Sequence, residues 1–257
     1  MSAPAATVTR LDAPKAGHTS DEYEDAAAVR AADWPIRAAV ADGATESAFA
    51  RVWAEHLADG MTALDVCSAD ALNDALNDAL NDALNDALND ALSGWRAQWQ
   101  SQVAARSSSL PWYAAAKADE GAFATVLACT FHANGRWTAL SIGDCVLFHL
   151  RDGACRQAWP LDDPDAFDNR PALLSSHPEA PVPPVETQAG TWQPNDVFLL
   201  ATDAVAAWLL RTDPVRALDL RPDAFPDAVH DARSNGTLRN DDATLLRIRL
   251  PQTAASS

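Results

Sequence analysis

The sequence predicts an α+β fold in which antiparallel β-sheets are faced by helices, and two observations carry this prediction. Apolar runs of strand length are followed by Asn134-Gly135 and Asp152-Gly153, pairs that favour tight turns between antiparallel strands. The strand-like runs are also grouped in hairpins with pairs of helix-like segments between the groups, whereas a doubly wound parallel fold alternates single strands with helices. We therefore expect sheets built from hairpins.

Length and composition are those of one globular domain. The chain has 257 residues, 48% hydrophobic and 21% charged, which is enough for a full core and too apolar for disorder. With 36 acidic and 19 basic residues its net charge is -17, which disfavours nonspecific binding to nucleic acid or to an anionic membrane. The absence of a signal peptide, a membrane span and CxxC spacing predicts a cytoplasmic protein with reduced cysteines.

The first predicted strands form a hairpin with acidic residues at its open end. The apolar runs in EYEDAAAV and IRAAVADG flank a turn-like stretch at residues 30–35. In an antiparallel hairpin the start of the first strand lies beside the end of the second. We therefore expect Glu24, Asp25 and Asp42 to converge.

Two helical segments follow, with a tandem repeat between them. ESAFARVWAEHLADG has apolar residues at helical spacing, and then ALND repeats five times over Ala71–Asp90. A period of four advances each Leu by about 40° around a helix, so no single face can hold all the leucines. We expect a protruding helical insertion at about residues 69–92, with a partner-binding helix as the alternative. Ser93-Gly94 is expected to break the pattern before a second helix over WRAQWQSQVAARS.

The remaining strands again carry acidic residues at their ends. FATVLACTF, RWTALSIGD and CVLFHLRDG are predicted strands, and residues 160–194 are predicted to be an irregular surface segment. VFLLATD is a buried strand, AVAAWLLRT a helix and DATLLRIRL the final strand. Antiparallel pairing of the last two strands would bring Asp203 and Asp241 together, while Asp144 closes ALSIGD.

Clustered carboxylates of this kind point to a metal site. They repel one another unless a cation neutralises them. Oxygen atoms from Asp, Glu and backbone carbonyls are the ligands that hard divalent ions such as Mg²⁺ and Mn²⁺ prefer. For any one of these residues taken alone, a turn or cap is the alternative interpretation.

Six segments, taken in order, resemble the acidic motifs of the metal-dependent type 2C Ser/Thr protein phosphatases, particularly a bacterial branch. They are EYEDAAAV, VADGATESAFA, GAFATVLACTF, ALSIGDCVLF, LLATDA and RNDDATLL. The resemblance covers nearly the whole chain apart from the ALND insertion and the ends. It implies a single domain over residues 1–257, with a four-layer α-β-β-α sandwich whose central antiparallel β-sandwich is flanked by helices. The implied activity is hydrolysis of phosphoserine or phosphothreonine in proteins by a water that a binuclear Mn²⁺/Mg²⁺ centre activates.

The resemblance also implies a set of metal ligands. These are Glu24, Asp25, Asp42, Gly43, Asp144, Asp203 and Asp241. Asp42 resembles the bridging ligand, and Gly43 offers its carbonyl oxygen. Asp203 and Asp241 resemble ligands of one ion, and Glu24-Asp25 direct or water-mediated ligands of the other, while Asp144 resembles a residue that helps to hold a third, weaker ion. Asp42, Asp203 and Asp241 are the implied catalytic residues.

The chain departs from the family pattern at two places that concern the substrate. Ala44 replaces the His of the Asp-Gly-His-Gly-Gly motif, which is a proposed general acid, and Ser20 lies in the region of the usual N-terminal Arg. Lys15 is the predicted phosphate-binding residue, with His18 as a second candidate.

These departures leave two other function classes open. One is a catalytically weak or inactive type 2C-like module that binds a protein partner, and the other is a phosphatase for small phosphate esters. For the phosphatase we expect a phosphorylated protein substrate, a link to a Ser/Thr kinase system, a monomeric state, and no nucleic-acid or membrane partner.

Overall fold

The computed structural model describes residues 6–44, 47, 49–64, 77–107, 117–118, 120–167 and 170–251, and their strands belong to two sheets. The strands are β1 (Thr7–Ala13), β2 (Ala26–Arg30), β3 (Ile36–Gly43), β4 (Phe123–Phe131), β5 (Arg136–Ile142), β6 (Val146–Arg151), β7 (Ala154–Trp159), β8 (Leu174–Ser175), β9 (Glu186–Thr191), β10 (Val197–Ala201) and β11 (Ala243–Arg249). The α-helices are α1 (Ala50–Ala63), α2 (Asn77–Ser107), α3 (Asp203–Arg211) and α4 (Phe225–Ser234), with 3₁₀ turns at Ser20–Glu22 and Pro214–Leu218.

Both sheets are antiparallel throughout their described pairings. One has the strand order β1-β11-β10-β6-β7 and the other β2-β3-β4-β5-β9, with β8 paired to β4. The two predicted Gly-containing turns connect β4 to β5 and β6 to β7. The α+β prediction from hairpin signals is therefore confirmed.

Side-chain alternation on the strands produces four layers. In β3, Ala38 and Val40 face the other sheet. On the same face, Phe131 of the neighbouring strand β4 makes an edge-to-face contact with Phe198 of β10 in the other sheet, at 4.7 Å between ring centroids. Ala39 and its neighbours on the opposite face pack against α1 and α2. The outer face of the β1-β11-β10-β6-β7 sheet packs against α3 and α4. Successive strand residues point to opposite faces, so each sheet has one face toward its partner and one toward helices.

Helix α2 differs from the expectation, because it runs without interruption through Ser93-Gly94. Its buried face continues across that pair, with Leu88, Leu92 and Trp99 packed in the same cluster as α1. At Gly60 of α1 an added Cβ would lie 2.3 Å from the Trp95 ring, so this glycine lets the two helices approach closely. Tertiary packing thus overrides the weak helix propensity of Ser-Gly.

The end of the ALND repeat is also not a protrusion. Leu88 and Leu92 are both 1% exposed, so the last copy belongs to the core. Residues 65–76 and the side chains of residues 77–85, which contain the earlier copies, lie outside the described residues. The single-domain boundaries over residues 1–257 stay a prediction.

Part of the predicted irregular segment is a strand. β9 pairs with β5 at the edge of its sheet, and β8 makes a short pairing with β4. The sequence of β9, ETQAGT, has no alternation of apolar residues, which is the signal that reveals a half-buried strand. Separately, no helix within the described ranges is long and apolar enough to cross a membrane.

Candidate metal centre

The first acidic pair is positioned by the hairpin of β2 and β3. These strands pair Ala26 with Ala41, so Asp25 and Asp42 are neighbours at the open end of the hairpin, as the sequence argument predicts. Gly43 follows, and a Cβ there would lie 2.8 Å from the carbonyl oxygen of Glu24. Only glycine allows the two backbones to approach this closely without a shift.

Three more carboxylates come from the other sheet. β10 pairs with both β6 and β11, and its last residue, Ala201, lies opposite Val146 at the start of β6 and Leu245 near the start of β11. Asp203 begins α3 just after β10, Asp241 precedes β11, and Asp144 precedes β6. The three strand ends thus place these acidic residues at the same end of the sandwich as Asp42.

The cavity at this end has a volume of about 310 Å³. Its described lining residues are Asp42, Gly43, Ala44, Thr125, Asp144, Pro171, Leu173, Asp203, Arg239 and Asp241. Five of the predicted site residues, namely Asp42, Gly43, Asp144, Asp203 and Asp241, are therefore brought together. Glu24, Asp25 and Lys15 are not among the described lining residues.

Those three residues are joined by hydrogen bonds to residues that follow β10 or precede β11. The Asp25 carboxylate is buried, and Oδ2 accepts a hydrogen bond of 2.9 Å from Thr202 Oγ1. The backbone N–H of Glu24 donates to Asp242 Oδ2 at 2.7 Å, and the backbone N–H of Lys15 donates to Asp242 Oδ1 at 2.8 Å. Asp242 thus ties both N-terminal segments to the start of β11.

Burial and mutual repulsion raise the pKa values of the clustered carboxyls. Burial raises the pKa of Asp42 well above its usual value, and the charges of the neighbouring carboxylates raise it further. The pKa of Asp25 is raised by burial and by the nearby charge of Asp242, against the hydrogen bond from Thr202. Burial also raises the pKa of Asp203, although the positive charge of Arg239 opposes this shift. Ionising the whole group together requires additional positive charge.

Arg239 supplies one such charge within the cavity. Its Nη2 donates to Asp203 Oδ2 in a short contact and lies 3.2 Å from Asp241 Oδ2. The other oxygen of Asp203, Oδ1, is buried and has no hydrogen-bond partner within the described part of the chain. A buried carboxylate oxygen without a donor is costly, and coordination of a cation would satisfy it.

The carboxylates at this site are the type of ligand that a hard divalent ion prefers, but their oxygen atoms do not surround a common position. Among the described residues, no three His, Cys, Asp or Glu side chains are close enough together to hold an ion as they stand. The chemistry of the residues agrees with such an ion nonetheless: carboxyl groups with raised pKa values, the unsatisfied Asp203 Oδ1, and Gly43 among the residues that line the cavity. In this structure Arg239 bridges two of the carboxylates.

Sequence reasoning missed three residues that organise the site: Thr202, Arg239 and Asp242. Asp242 had a visible signal, since the doubled Asp of RNDD offers two carboxylates at one strand start. Arg239 is the lone basic residue of the same motif, but its partner on α3 is 36 positions away in the chain. Thr202 gave no signal of its own, because its hydroxyl acts on a residue from a different sheet.

Comparison with known proteins agrees with this architecture. A family model described as Protein phosphatase 2C matches residues 16–237. Among curated proteins, no match was found. Solved structures similar to the chain include the Mycobacterium tuberculosis serine/threonine phosphatase PstP/Ppp, with 18% identity, a TM-score of 0.60, and coverage of 97% of this chain and 100% of that one.

Two further solved structures share the fold. The catalytic domain of PstP in complex with two manganese ions has 17% identity and a TM-score of 0.60, covering 96% of this chain and 99% of its own. PppA, described as a key regulatory component of T6SS in Pseudomonas aeruginosa, has 19% identity and a TM-score of 0.57, covering 96% and 98%. At these identities the likeness establishes the four-layer sandwich.

Proposed function

Because the chain belongs to the protein phosphatase 2C family, we propose that it hydrolyses phosphoserine or phosphothreonine in a protein substrate with bound divalent metal ions. The observation that carries this proposal is the convergence of Asp42, Asp144, Asp203 and Asp241 on one cavity. Four carboxylates in one cavity would be strongly destabilising without cations, and carboxylate-bound metal pairs are a common device for phosphoryl transfer.

The proposed ligands are those predicted from the sequence. Asp42 would bridge two ions with the Gly43 carbonyl as a further ligand, and Asp203 and Asp241 would hold one of them, with Asp144 toward a third. Glu24 and Asp25 would support the other ion from behind the cavity, directly or through water. We propose Mn²⁺ or Mg²⁺, since both prefer oxygen ligands and PstP was solved with two manganese ions. Such ions would lower the pKa of a bound water and neutralise phosphoryl oxygens.

The residues of this chain then have distinct tasks. Thr202 holds the buried Asp25 carboxylate in one orientation through its hydroxyl. Asp242 fixes the backbone of Glu24 beside the start of β11, which keeps the two sheets aligned at the site. Ala44 lines the cavity where a proton donor is expected in the family, so this chain offers no imidazole to protonate the leaving group there.

We propose a phosphorylated protein as the substrate and a Ser/Thr kinase system as the source of its phosphate. The family acts on phosphoproteins, and PppA is described as regulatory in its own system. Lys15 stays a predicted phosphate contact, and the monomeric state and cytoplasmic location also stay predictions.

The direct test is hydrolysis of a phosphothreonine peptide by the wild type and by Asp203→Asn, with Mn²⁺ and with a chelator. Loss of one metal carboxylate should lower turnover by about 100-fold or more, because the reaction depends on that charge. Asp223→Asn is the matched control, since Asp223 is exposed and pairs only with Arg221 among the described ion pairs. Wild-type turnover that is insensitive to the chelator would refute the metal-dependent mechanism.

The partner-binding module is the second candidate, and the presence of Ala44 in the cavity favours it. Calorimetry with Mn²⁺ separates the two candidates. Binding of Mn²⁺ by the wild type without any turnover of phosphopeptide would favour the module, whereas Mn²⁺-dependent turnover would favour the enzyme.

A further inference from the structure

We propose that the guanidinium of Arg239 occupies the position of a metal ion between Asp203 and Asp241. Metal binding would release this side chain, which would then bind the phosphoryl group of the substrate. This inference rests on the proposed phosphatase function. Arg239 then has two roles. It competes with the metal ion, and it binds phosphate in place of the N-terminal Arg of the family, which this chain lacks.

A single nitrogen atom of Arg239 approaches both carboxylates. Arg239 Nη2 contacts Oδ2 of Asp203 and lies 3.2 Å from Oδ2 of Asp241. These carboxylates come from two different elements, the first residue of α3 and the loop before β11. The guanidinium is therefore the group that joins the two proposed ligands of one ion.

The guanidinium and the proposed ion would exclude each other. An ion bound by both Asp203 and Asp241 would draw on the carboxylate oxygens that Nη2 now contacts, and two cations cannot share that position without strong repulsion. An arginine side chain also keeps its charge at any ordinary pH, so it cannot yield by losing a proton. It has to move away when the metal binds.

The position of Arg239 in the cavity determines where the released side chain can go. Arg239 is 45% exposed and lines the same cavity as Gly43 and Ala44, so its free end remains at the site. Among the described lining residues it is the one with a cationic side chain. A planar guanidinium matches the paired oxygens of a phosphoryl group, and this geometry gives strong, directional hydrogen bonds.

Other basic residues near the site are less suited to this role. Arg233 donates to the backbone carbonyls of Pro14 and Asp241, so its guanidinium is used to hold the loop before β11. Lys15 reaches the site through its backbone N–H, and it is not among the described residues that line the cavity. Ser20, in the region of the family's Arg, is exposed and has no positive charge.

The test compares Arg239→Gln and Arg239→Lys with the wild type and with Arg221→Gln. Arg221 is the matched control, because its side chain is 73% exposed and pairs with an equally exposed Asp223. Mn²⁺ affinity is measured by calorimetry, thermal stability is measured with and without Mn²⁺, and KM and kcat are measured on a phosphothreonine peptide. The first two measurements require no turnover.

For Arg239→Gln we expect Mn²⁺ affinity to rise by about tenfold, since the competing cation is gone. The metal-free variant should melt at a lower temperature than the wild type, and Mn²⁺ should raise its melting temperature by more. KM for the phosphopeptide should rise by about tenfold while kcat changes much less. Arg239→Lys should restore part of the phosphate binding, and Arg221→Gln should behave as the wild type.

Several results would overturn the proposal. Unchanged or weaker Mn²⁺ binding by Arg239→Gln would show that Arg239 does not compete with the metal, and weaker binding would instead make it a positioning residue for the carboxylates. An unchanged KM in a variant that still turns over would exclude the phosphate-binding role. By contrast, a wild type that binds Mn²⁺ without turnover contradicts the proposed phosphatase, while the metal-affinity comparison still decides the competition.

Discussion

Substitution of Leu88 by Ala tests whether the end of the tandem repeat belongs to the core. Leu88 is 1% exposed and packs in the cluster that α1 and α2 form on one sheet. A fully buried Leu replaced by Ala loses its transfer free energy and leaves a cavity, which together cost about 3 kcal/mol of unfolding free energy. Ala has the higher helix propensity, so the loss cannot be attributed to the helix itself.

The assay is equilibrium unfolding in urea, with the midpoint and the slope measured for each variant in the presence of a chelator. Asn89→Ala is the matched control, because Asn89 is the next residue of the same repeat copy and is exposed. It should lie within about 0.5 kcal/mol of the wild type. A Leu88→Ala variant equally close to the wild type would refute the packing argument and restore the interpretation of the repeat as peripheral.

The remaining predictions concern the site. Ala44→His should raise turnover of a phosphothreonine peptide by about tenfold or more, but should change turnover of p-nitrophenyl phosphate little. The reason is that only the threonine of the peptide, a poor leaving group, needs a proton donor. Equal effects on both substrates would contradict this role. Burial holds the pKa values of Asp42 and Asp203 above their usual range. The metal-free protein should therefore lose stability as the pH rises through those raised values. It should regain that stability on acidification toward the unfolded pKa of about 4. Melting temperatures at several pH values, compared with those of Asp42→Asn, isolate this contribution, and saturating Mn²⁺ should abolish it; a wild type whose pH dependence matches that of Asp42→Asn without metal would contradict it.

The main features of the fold could be predicted because they depend on short-range signals. Hairpin turns at Asn134-Gly135 and Asp152-Gly153 set neighbouring strands antiparallel, and the apolar runs show which segments are buried. The edge strand β9 could not be found in this way, because its sequence, ETQAGT, has no buried apolar face and therefore no alternation of apolar and polar residues. The continuity of α2 was also hidden, since it depends on Trp95 packing over Gly60 from another helix.

The acidic residues were predictable for the same reason as the strands. A carboxylate at the end of a strand is brought to a known edge by antiparallel register. The joining of Asp42 with Asp203 and Asp241 at one cavity was implied only by the family resemblance, whereas the pairings of Asp42 with Asp25 and of Asp203 with Asp241 could be predicted from register. The partners of these carboxylates could not. Thr202 and Asp242 act on Asp25 and Glu24, which lie on the other sheet, and the sequence contains no local pattern for contacts between sheets.

The role of Arg239 depends both on a local sequence motif and on a contact with a residue distant in the chain. That motif contains the proposed metal ligand Asp241, yet the charge of Arg239 would oppose metal binding at Asp203. If Arg239 competes with the metal as proposed, it would provide the buried Asp203 carboxylate with a counter-ion before metal binds and would lower the metal affinity. Removing Arg239 should then change metal-free stability and Mn²⁺ affinity in opposite directions. A variant in which both quantities fall together would show that Arg239 supports the site instead of competing for it.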